Sequence, residues 1–201
     1  MVRVTHIRVT GGVLRGRRLR VPRGKAVRPT PDRVREALFA RLGDLGGCRV
    51  LDLFAGSGAL GVEALSRGAE SAVFVERSAP VLAILRENLE GLDLTDSTRT
   101  FGGLARAALP RFRSAGERFD LVFLDPPYDG DELEATLTAL VRAEVLEPGA
   151  TLLAEAPRRT PPGEISGLER SEEWEYGETT VVRYISGPVA SDAPEGRRSV
   201  R

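Results

Sequence analysis

The chain has very few of the side chains that most often move protons or bind metals. Among its 201 residues there is one cysteine, Cys48, and one histidine, His6. A single cysteine excludes an intramolecular disulfide and a thiolate-bound metal cluster, which fits a reducing compartment. The histidine lies in a basic stretch with no partner motif. We therefore expect catalysis without a histidine base and without a bound metal.

Long apolar runs are also absent, and none approaches the ~18 residues that a membrane span needs. The stretch 1–6 lacks the apolar segment of a secretory signal. With 41% hydrophobic residues the chain can bury a normal core. We expect a monomeric, cytoplasmic protein without membrane contact. Its predicted parts are a basic N-terminal arm at 1–30, a main domain at 31–186 and a disordered tail at 187–201, rich in Gly, Pro, Ser and charge.

The net charge of zero conceals a division between a basic arm and an acidic body. Residues 1–41 contain 12 Lys+Arg against Asp32 and Glu36, and the remainder is correspondingly acidic. That asymmetry is expected of a protein that contacts phosphate backbones. The alternative is an ordinary solvated face. The predicted RNA-contacting residues of the arm are Arg15, Arg17, Arg18 and Arg20.

Strands and helices alternate along the chain from residue 49. Strands are predicted at 49–53, 72–76, 98–101, 119–124 and 150–155, and helices near 58–67, 79–91, 103–113 and 131–145. This order predicts an α/β fold with a doubly wound, mostly parallel sheet. Residues 3–21 predict an N-terminal hairpin, and the pattern after residue 165 predicts an antiparallel hairpin with Trp174 in the core. Before the sheet, Thr30 is predicted to cap a helix that begins at Pro31.

A glycine-rich turn follows the first strand of the sheet. Gly56, Gly58 and Gly61 match the dinucleotide fingerprint, and Glu76 ends the second strand 20 residues after Gly56. Glycines let a backbone turn sharply beside a cofactor, and the acid accepts hydrogen bonds from ribose hydroxyls. Sites for NAD, FAD and S-adenosylmethionine (SAM) all share this arrangement. Asp52 favours SAM, because a carboxylate before the turn can bind a methionine amino group but not a pyrophosphate.

Asp125-Pro126-Pro127-Tyr128 follows the apolar run 119–124, which predicts a strand buried on both faces. The two prolines end that strand because they cannot donate to a ladder. The resulting loop lies at the carboxyl end of a central strand, where open α/β sheets bind ligands. A carboxylate, proline carbonyls and an aromatic ring can hold a planar ring that bears an amine. The alternative is a simple Pro-Pro turn with a surface tyrosine.

Together these motifs resemble those of a known family. The run 52–58, Asp-Leu-Phe-Ala-Gly-Ser-Gly, with a later Asp-Pro-Pro-Tyr, resembles SAM-dependent methyltransferases that modify exocyclic amines of nucleic-acid bases. The resemblance narrows with Gly12-(x3)-Gly16-Arg17, with the run 28–39, and with Tyr176-Gly177-Glu178-Thr179. These features resemble the RsmD family, the 16S ribosomal RNA (guanine-N2)-methyltransferases, over roughly residues 7–185.

The resemblance implies a seven-stranded, Rossmann-like methyltransferase sheet, SAM as cofactor, and 16S RNA of an assembling 30S subunit as partner. The expected catalytic residues are Asp125, Pro126, Pro127 and Tyr128. The expected cofactor residues are Asp52, Phe54, Ala55, Gly56, Ser57, Gly58, Glu76, Arg77, Gly102 and Gly103. Arg28, Thr30 and Arg33 are expected to contact RNA phosphates or the cofactor's carboxylate, while Glu36 is equally well interpreted as a cap or an ion-pair partner.

Where relatives often carry an acid or amide after the third strand, this chain has Phe101-Gly102-Gly103, so we expect backbone groups to recognise the adenine. Three other functions stay open. They are adenine-N6 methylation of RNA or DNA, a non-catalytic RNA-binding assembly factor, and a nicotinamide-dependent reductase.

Overall fold

A computed structural model describes residues 4–22, 31–127 and 132–187. Arg28, Thr30, Tyr128 and the predicted tail from residue 188 onward lie outside these ranges. Within the three ranges, no helix has the length and apolar character needed to cross a membrane.

The main sheet has seven strands in the order β5-β4-β3-β6-β7-β9-β8. Strands β3 to β7 pair in parallel, and β9 pairs antiparallel with both β7 and β8. The strands are β3 (Arg49–Asp52), β4 (Ser71–Glu76), β5 (Thr98–Gly102), β6 (Phe119–Leu124), β7 (Leu146–Pro157), β8 (Leu168–Tyr176) and β9 (Thr179–Ser186). Because the chain leaves β3 toward one side and later returns to β6 beside it, the switch point of the sheet lies between β3 and β6.

Helices cover both faces of this sheet. They are α1 (Asp32–Leu42), α2 (Ala59–Ser66), α3 (Ala79–Gly91), α4 (Ala105–Ser114) and α5 (Glu132–Ala143). Apolar side chains of α1, α2 and α3 form one buried cluster with Phe74 and Phe123, and those of α4 and α5 form a second cluster with Leu51 and Val122. Central strands with both faces covered explain the continuous apolar run in β6.

An antiparallel hairpin precedes the main sheet, formed by β1 (Val4–Arg8) and β2 (Arg18–Pro22). It packs on the α1–α3 face, because Val9 and Leu19 are buried in the same cluster as those helices. Glu63 of α2 fixes the connection between the two strands. Its carboxylate accepts hydrogen bonds from the Thr10 and Gly11 backbone N–H groups, each at 2.8 Å.

Two arginines, the buried Arg35 and Arg67, lie beside the Glu63 carboxylate and form a polar cluster with it. The Arg67 Nε donates to Glu63 at 2.9 Å, and the Arg35 Nε lies 4.0 Å from the same carboxylate. Arg35 and Glu63 are each only 1% exposed. A buried carboxylate needs such partners, since removing one would leave an uncompensated charge. The hairpin, α1 and α2 are therefore joined through one side chain.

The predicted fold class is confirmed, with its mostly parallel seven-stranded sheet and its N-terminal hairpin. Trp174 is buried, as predicted. Several boundaries shift by one or two residues, and two differences concern the signals at the start of an element. Helix α1 begins at Asp32 with Pro31 just before it, one residue later than predicted. Strand β7 begins at Leu146 and includes Pro148 and Gly149, which in the sequence resemble a turn. The division into arm, domain and tail stays a prediction.

Candidate functional site

Four carboxylates occupy the carboxyl ends of four adjacent strands. Glu76 ends β4, Asp52 ends β3, Asp125 follows β6, and Glu155 lies near the end of β7. These strands are neighbours in the order β4-β3-β6-β7. The carboxylates therefore form a row across the switch point of the sheet, which we call the acidic row.

The pairing register gives all four the same face of the sheet. Asp52 is paired with Phe74 on β4 and with Phe123 on β6, and these two phenylalanines belong to the α1–α3 cluster. Side chains two residues apart on a strand share a face, so Glu76 lies on the side of Phe74 and Asp125 continues the side of Phe123. On β7, Leu153 lies in the same cluster, two residues before Glu155.

The surroundings of the acidic row disfavour negative charge on its central members. The pKa of Asp52 is raised to about 7, mainly by burial and also by the nearby Glu76, although hydrogen bonds from the Gly61 N–H (3.3 Å) and the Phe54 backbone partly oppose the rise. Burial, Glu155 and Asp52 together raise the pKa of Asp125 well above its usual value. A site that concentrates carboxylates in this way favours a bound cation, because a cation offsets their mutual repulsion.

In the glycine turn after β3, Gly56 and Gly58 differ in why a larger side chain is disfavoured. Gly58 has φ of 86°, and a β-carbon there would lie 2.4 Å from Leu85 Cδ1 in the core, so this glycine is required by the protein's own packing. Gly56 has φ of 53°, and a β-carbon there would meet only the Phe54 carbonyl oxygen at 4.0 Å. The open space beside the turn is therefore at Gly56, where a ligand can approach the backbone.

Side chains from neighbouring elements hold this turn in place. The Glu76 carboxylate accepts hydrogen bonds from the Gly56 N–H at 3.0 Å and the Ser78 N–H at 2.7 Å. The amide of Asn88, a buried residue of α3, donates to the Ser57 carbonyl at 2.9 Å. Ala55 and Ser57 are buried, and Phe54 is partly buried. Glu76 thus positions the turn and retains further acceptor capacity for hydroxyl groups.

The end of β5 lies beside this turn. Gly102 pairs with Glu76, and the Gly103 N–H donates to the Glu76 carbonyl at 3.1 Å. That N–H is therefore already used within the sheet. Arg77 is exposed at the end of β4, and Leu104, 54% exposed, follows the glycines.

The proline loop after β6 borders a cavity. Pro126 is buried and Pro127 is exposed, and Tyr128 lies outside the described residues. The cavity has a volume of about 410 Å³, within the range of small-molecule sites. Its lining includes Pro126, Pro127, Leu133, Glu134, Glu155 and Pro157. Sequence reasoning missed Glu155, which looks like an ordinary polar position of a strand until β7 is aligned beside β6.

Arg15, Arg17, Arg18 and Arg20 of the arm are exposed, and two of them contact α3. The Arg17 guanidinium donates to the Gly91 carbonyl at 2.8 Å, and Arg20 pairs with Glu87. Gly91 ends α3, so the hairpin loop lies at the amino edge of the sheet, opposite the acidic row. Arg33 is exposed at the start of α1. The structure therefore does not bring the arm's loop and the acidic row together. Among the residues described, no cluster of His, Cys, Asp and Glu has the arrangement of a metal site.

The chain matches known proteins over most of its length. The family model described as "Conserved hypothetical protein 95" matches residues 7–185. The "Putative rRNA methyltransferase YlbH" of Bacillus subtilis is 38% identical over 180 residues, covering 89% of this chain and 98% of that protein. The "Ribosomal RNA small subunit methyltransferase D" of Haemophilus influenzae is 35% identical over 156 residues, covering 77% of this chain and 81% of that protein.

A solved structure has the same architecture. The "Putative methyltransferase yhhF from Escherichia coli" superposes with a TM-score of 0.80 at 32% identity, covering 91% of this chain and 99% of that one. The range matched by the family model includes the glycine turn after β3 and the proline loop after β6. The chain belongs to the RsmD family of methyltransferases, as its motifs predicted.

Proposed function

We propose that this protein transfers a methyl group from SAM to the exocyclic N2 amine of a guanine in small-subunit ribosomal RNA. The observation that carries the proposal is the acidic row. The glycine turn lies beside its members Glu76 and Asp52, and the Asp-Pro-Pro loop begins at its member Asp125. The family relationship supports the reaction class, and the name of the Haemophilus influenzae relative supports the RNA. The substrate proposed is the RNA within an assembling 30S subunit.

The cofactor end of the row comprises Glu76, Asp52 and the turn at Gly56. When bound, SAM supplies a methyl group on a positively charged sulfur. Glu76 would accept hydrogen bonds from ribose hydroxyls, and Asp52 would bind the methionine ammonium. The open space at Gly56 admits a ligand close to the backbone, and the negative potential of the row suits a cation. The described residues therefore fit this cofactor.

The acceptor end comprises Asp125 and the Pro126 carbonyl. The lone pair of a guanine amine is delocalised into the ring, so the amine is a weak nucleophile. Oxygen acceptors at Asp125 and Pro126 would hold both N–H bonds and favour pyramidal geometry at nitrogen. As that nitrogen becomes positive, a preorganised carboxylate stabilises the charge better than water does. The raised pKa of Asp125 also suits it to accept the proton that the nitrogen loses.

The phosphate contacts are assigned to the arm. Arg15, Arg17, Arg18 and Arg20 are exposed on one hairpin, which is fixed to the methyltransferase body through Glu63. Arg28, Thr30 and Tyr128 retain their proposed roles from the sequence, with Tyr128 stacking on the extruded base.

The test is incubation with labelled SAM and one of three substrates, followed by nucleoside analysis. The substrates are small subunits lacking the modification, free 16S RNA, and DNA. We expect N2-methylguanosine in the subunits. We expect Asp125→Asn to bind SAM normally but to lose roughly 10²-fold or more in kcat/KM. Asp120→Asn, a change at the opposite end of the same strand, is the matched control and should stay active. N6-methyladenosine as product, or no transfer to any RNA, would refute the proposal.

A further inference from the structure

Glu155 is the one member of the acidic row to which the proposed chemistry assigns no task. It lies on β7, and β7 pairs in parallel with β6 so that Leu124 is opposite Ala154. The next residue on each strand is Asp125 and Glu155. Adjacent strands lie about 4.8 Å apart, so two side chains at this level on one face are close neighbours. Their closeness is also electrostatic, since Glu155 raises the pKa of Asp125.

The cavity that Glu155 lines begins at Pro126, the residue after Asp125, and prolines make up half of its lining. The prolines of the lining are Pro126 and Pro127 of the loop, Pro157 at the end of β7, and Pro161 and Pro162 beyond it. Proline has a fixed backbone and no N–H group, so such a wall offers apolar CH surface and carbonyl oxygens. Among the described residues that line the cavity, the polar side chains are those of Glu134, Glu155 and Thr160, and only the Thr160 hydroxyl can donate a hydrogen bond when both carboxylates are ionised.

This chemistry distinguishes the two purines. The Watson–Crick edge of guanine presents two adjacent donors, the N2 amine and the N1–H. The same edge of adenine presents one donor, the N6 amine, beside N1, which is an acceptor. If Asp125 and the Pro126 carbonyl hold the amine, the neighbouring carboxylate faces N1 of the base. A carboxylate accepts a hydrogen bond from guanine N1–H and opposes the lone pair of adenine N1.

We propose that Glu155 accepts the N1–H hydrogen bond of the target base and thereby selects guanine over adenine. This inference rests on the proposed function, because it takes the amine to lie at Asp125. It makes Glu155 a specificity-determining residue of the acceptor site, and it explains why a second carboxylate lies beside a first one despite their repulsion. Guanine brings two donors to the two carboxylates, which offsets that repulsion when the base binds.

Sites built to hydrogen-bond a particular group reject analogues that lack it much more strongly than apolar pockets reject a missing methylene, because a buried polar group is left unpaired. The informative analogue is 2-aminopurine. It keeps the N2 amine that is methylated, but its N1 is an acceptor, as in adenine. Because 2-aminopurine also lacks the O6 carbonyl of guanine, the effect of N1–H is isolated by comparing the base preference of the wild-type protein with that of a Glu155 variant, and the reacting nitrogen is kept throughout.

The experiment compares small subunits whose 16S RNA carries either guanosine or 2-aminopurine riboside at the mapped target position. Both kcat/KM for methylation and the affinity of each particle in the presence of S-adenosylhomocysteine are measured. The wild-type protein should prefer guanosine by about 10² in kcat/KM. Glu155→Gln should bring the two bases to within about fivefold, because its amide can donate to N1 of 2-aminopurine. A purely structural role for Glu155 would lower both rates and keep their ratio.

Glu134→Gln is the matched control. Glu134 lines the same cavity, but it is exposed and its carboxylate accepts the Gly163 N–H at 3.0 Å. This variant should retain the wild-type preference. Glu155→Asp keeps a carboxylate and should retain a preference for guanosine at a lower rate, so it carries the test if Glu155→Gln fails to fold.

The outcomes separate the two proposals. If the wild-type protein transfers no methyl group to the guanosine particle, the proposed function fails. If it does, and Glu155→Gln keeps the wild-type preference in both rate and affinity, the assignment of Glu155 is wrong. An Asp variant that loses the preference would also overturn it.

Discussion

Replacing Asp52 by asparagine should stabilise the folded protein in the absence of cofactor, by an amount that depends on pH. Asp52 is 3% exposed, and its pKa of about 7 lies above the ordinary value of 3.8. The folded protein therefore keeps a proton that the unfolded chain has already lost. Ionising Asp52 in the fold costs free energy, and that cost is absent below about pH 4, grows between pH 4 and 7, and is constant above pH 7.

The size of the effect follows from the two pKa values. A difference of about three units corresponds to about 4 kcal/mol at pH 8, and at pH 5.5 the accumulated cost is only about 2 kcal/mol. Asparagine carries no charge at either pH, and its side-chain oxygen can still accept the Gly61 N–H. Asp52→Asn should thus have a larger free energy of unfolding than the wild-type protein at both pH values. The excess should be about 2 kcal/mol larger at pH 8 than at pH 5.5.

The assay is urea denaturation followed by circular dichroism at several values between pH 5.5 and 8.5, without ligand, for both proteins. Some pH dependence should persist in the variant, since Asp125 also has a raised pKa. SAM affinity, measured by calorimetry at pH 8, should fall in the variant because the methionine ammonium loses its anionic partner. A stability difference that does not change with pH, or a variant less stable than wild type at pH 8, would refute the reasoning.

Two further predictions separate the cofactor site from the arm. Gly56→Ala should weaken SAM binding at least about tenfold in calorimetry, because the new methyl group fills the open space at the turn. Gly116→Ala is the control, because Gly116 has φ of 67° and open surroundings, so that alanine there has a similar backbone cost of about 1–2 kcal/mol. This variant should bind SAM normally. Equal losses of SAM affinity in both variants would indicate a general effect of the backbone. Replacing Arg15 and Arg18 by glutamine should reduce the salt dependence of RNA binding by about 0.7–0.9 in log–log slope per lost contact, and leave SAM affinity unchanged. An unchanged slope would make these arginines a solvated face.

The parts of the fold that follow from local pattern could be predicted from the sequence. Strand β6 and helix α3 have their predicted bounds, because an unbroken apolar run and a regular 3.6-residue pattern leave few alternatives. The first residues of β7 could not be predicted as strand, since Pro148 and Gly149 are typical of a turn. Leu146 nevertheless pairs with Phe119, and a register shift between Phe119 and Leu121 accommodates the irregular residues.

The residues of the candidate site could be proposed from the sequence where a motif is contiguous, and could not where the site is assembled across strands. Asp52 and Asp125 stand beside glycine or proline signals, which mark them. Glu155 has no such neighbour, and its position beside Asp125 follows from the pairing of β6 with β7. Glu63 and Asn88 look like solvated helical positions, but each is buried because the hairpin covers it. Contacts between distant segments carry no local sequence signature.

The attachment of the hairpin has a consequence for the size of the RNA that the protein can recognise. Arg17 contacts the last residue of α3, while the first residues of α3 follow Glu76 in the acidic row. A helix of 13 residues is about 20 Å long. Because Glu63 and Asn88 anchor the hairpin to α2 and α3, this separation is fixed. Under the proposed function, an RNA that contacts Arg17 and places its target base at Asp125 would span about 20 Å or more. A single nucleotide would not satisfy both contacts, so recognition would depend on the shape of a folded RNA.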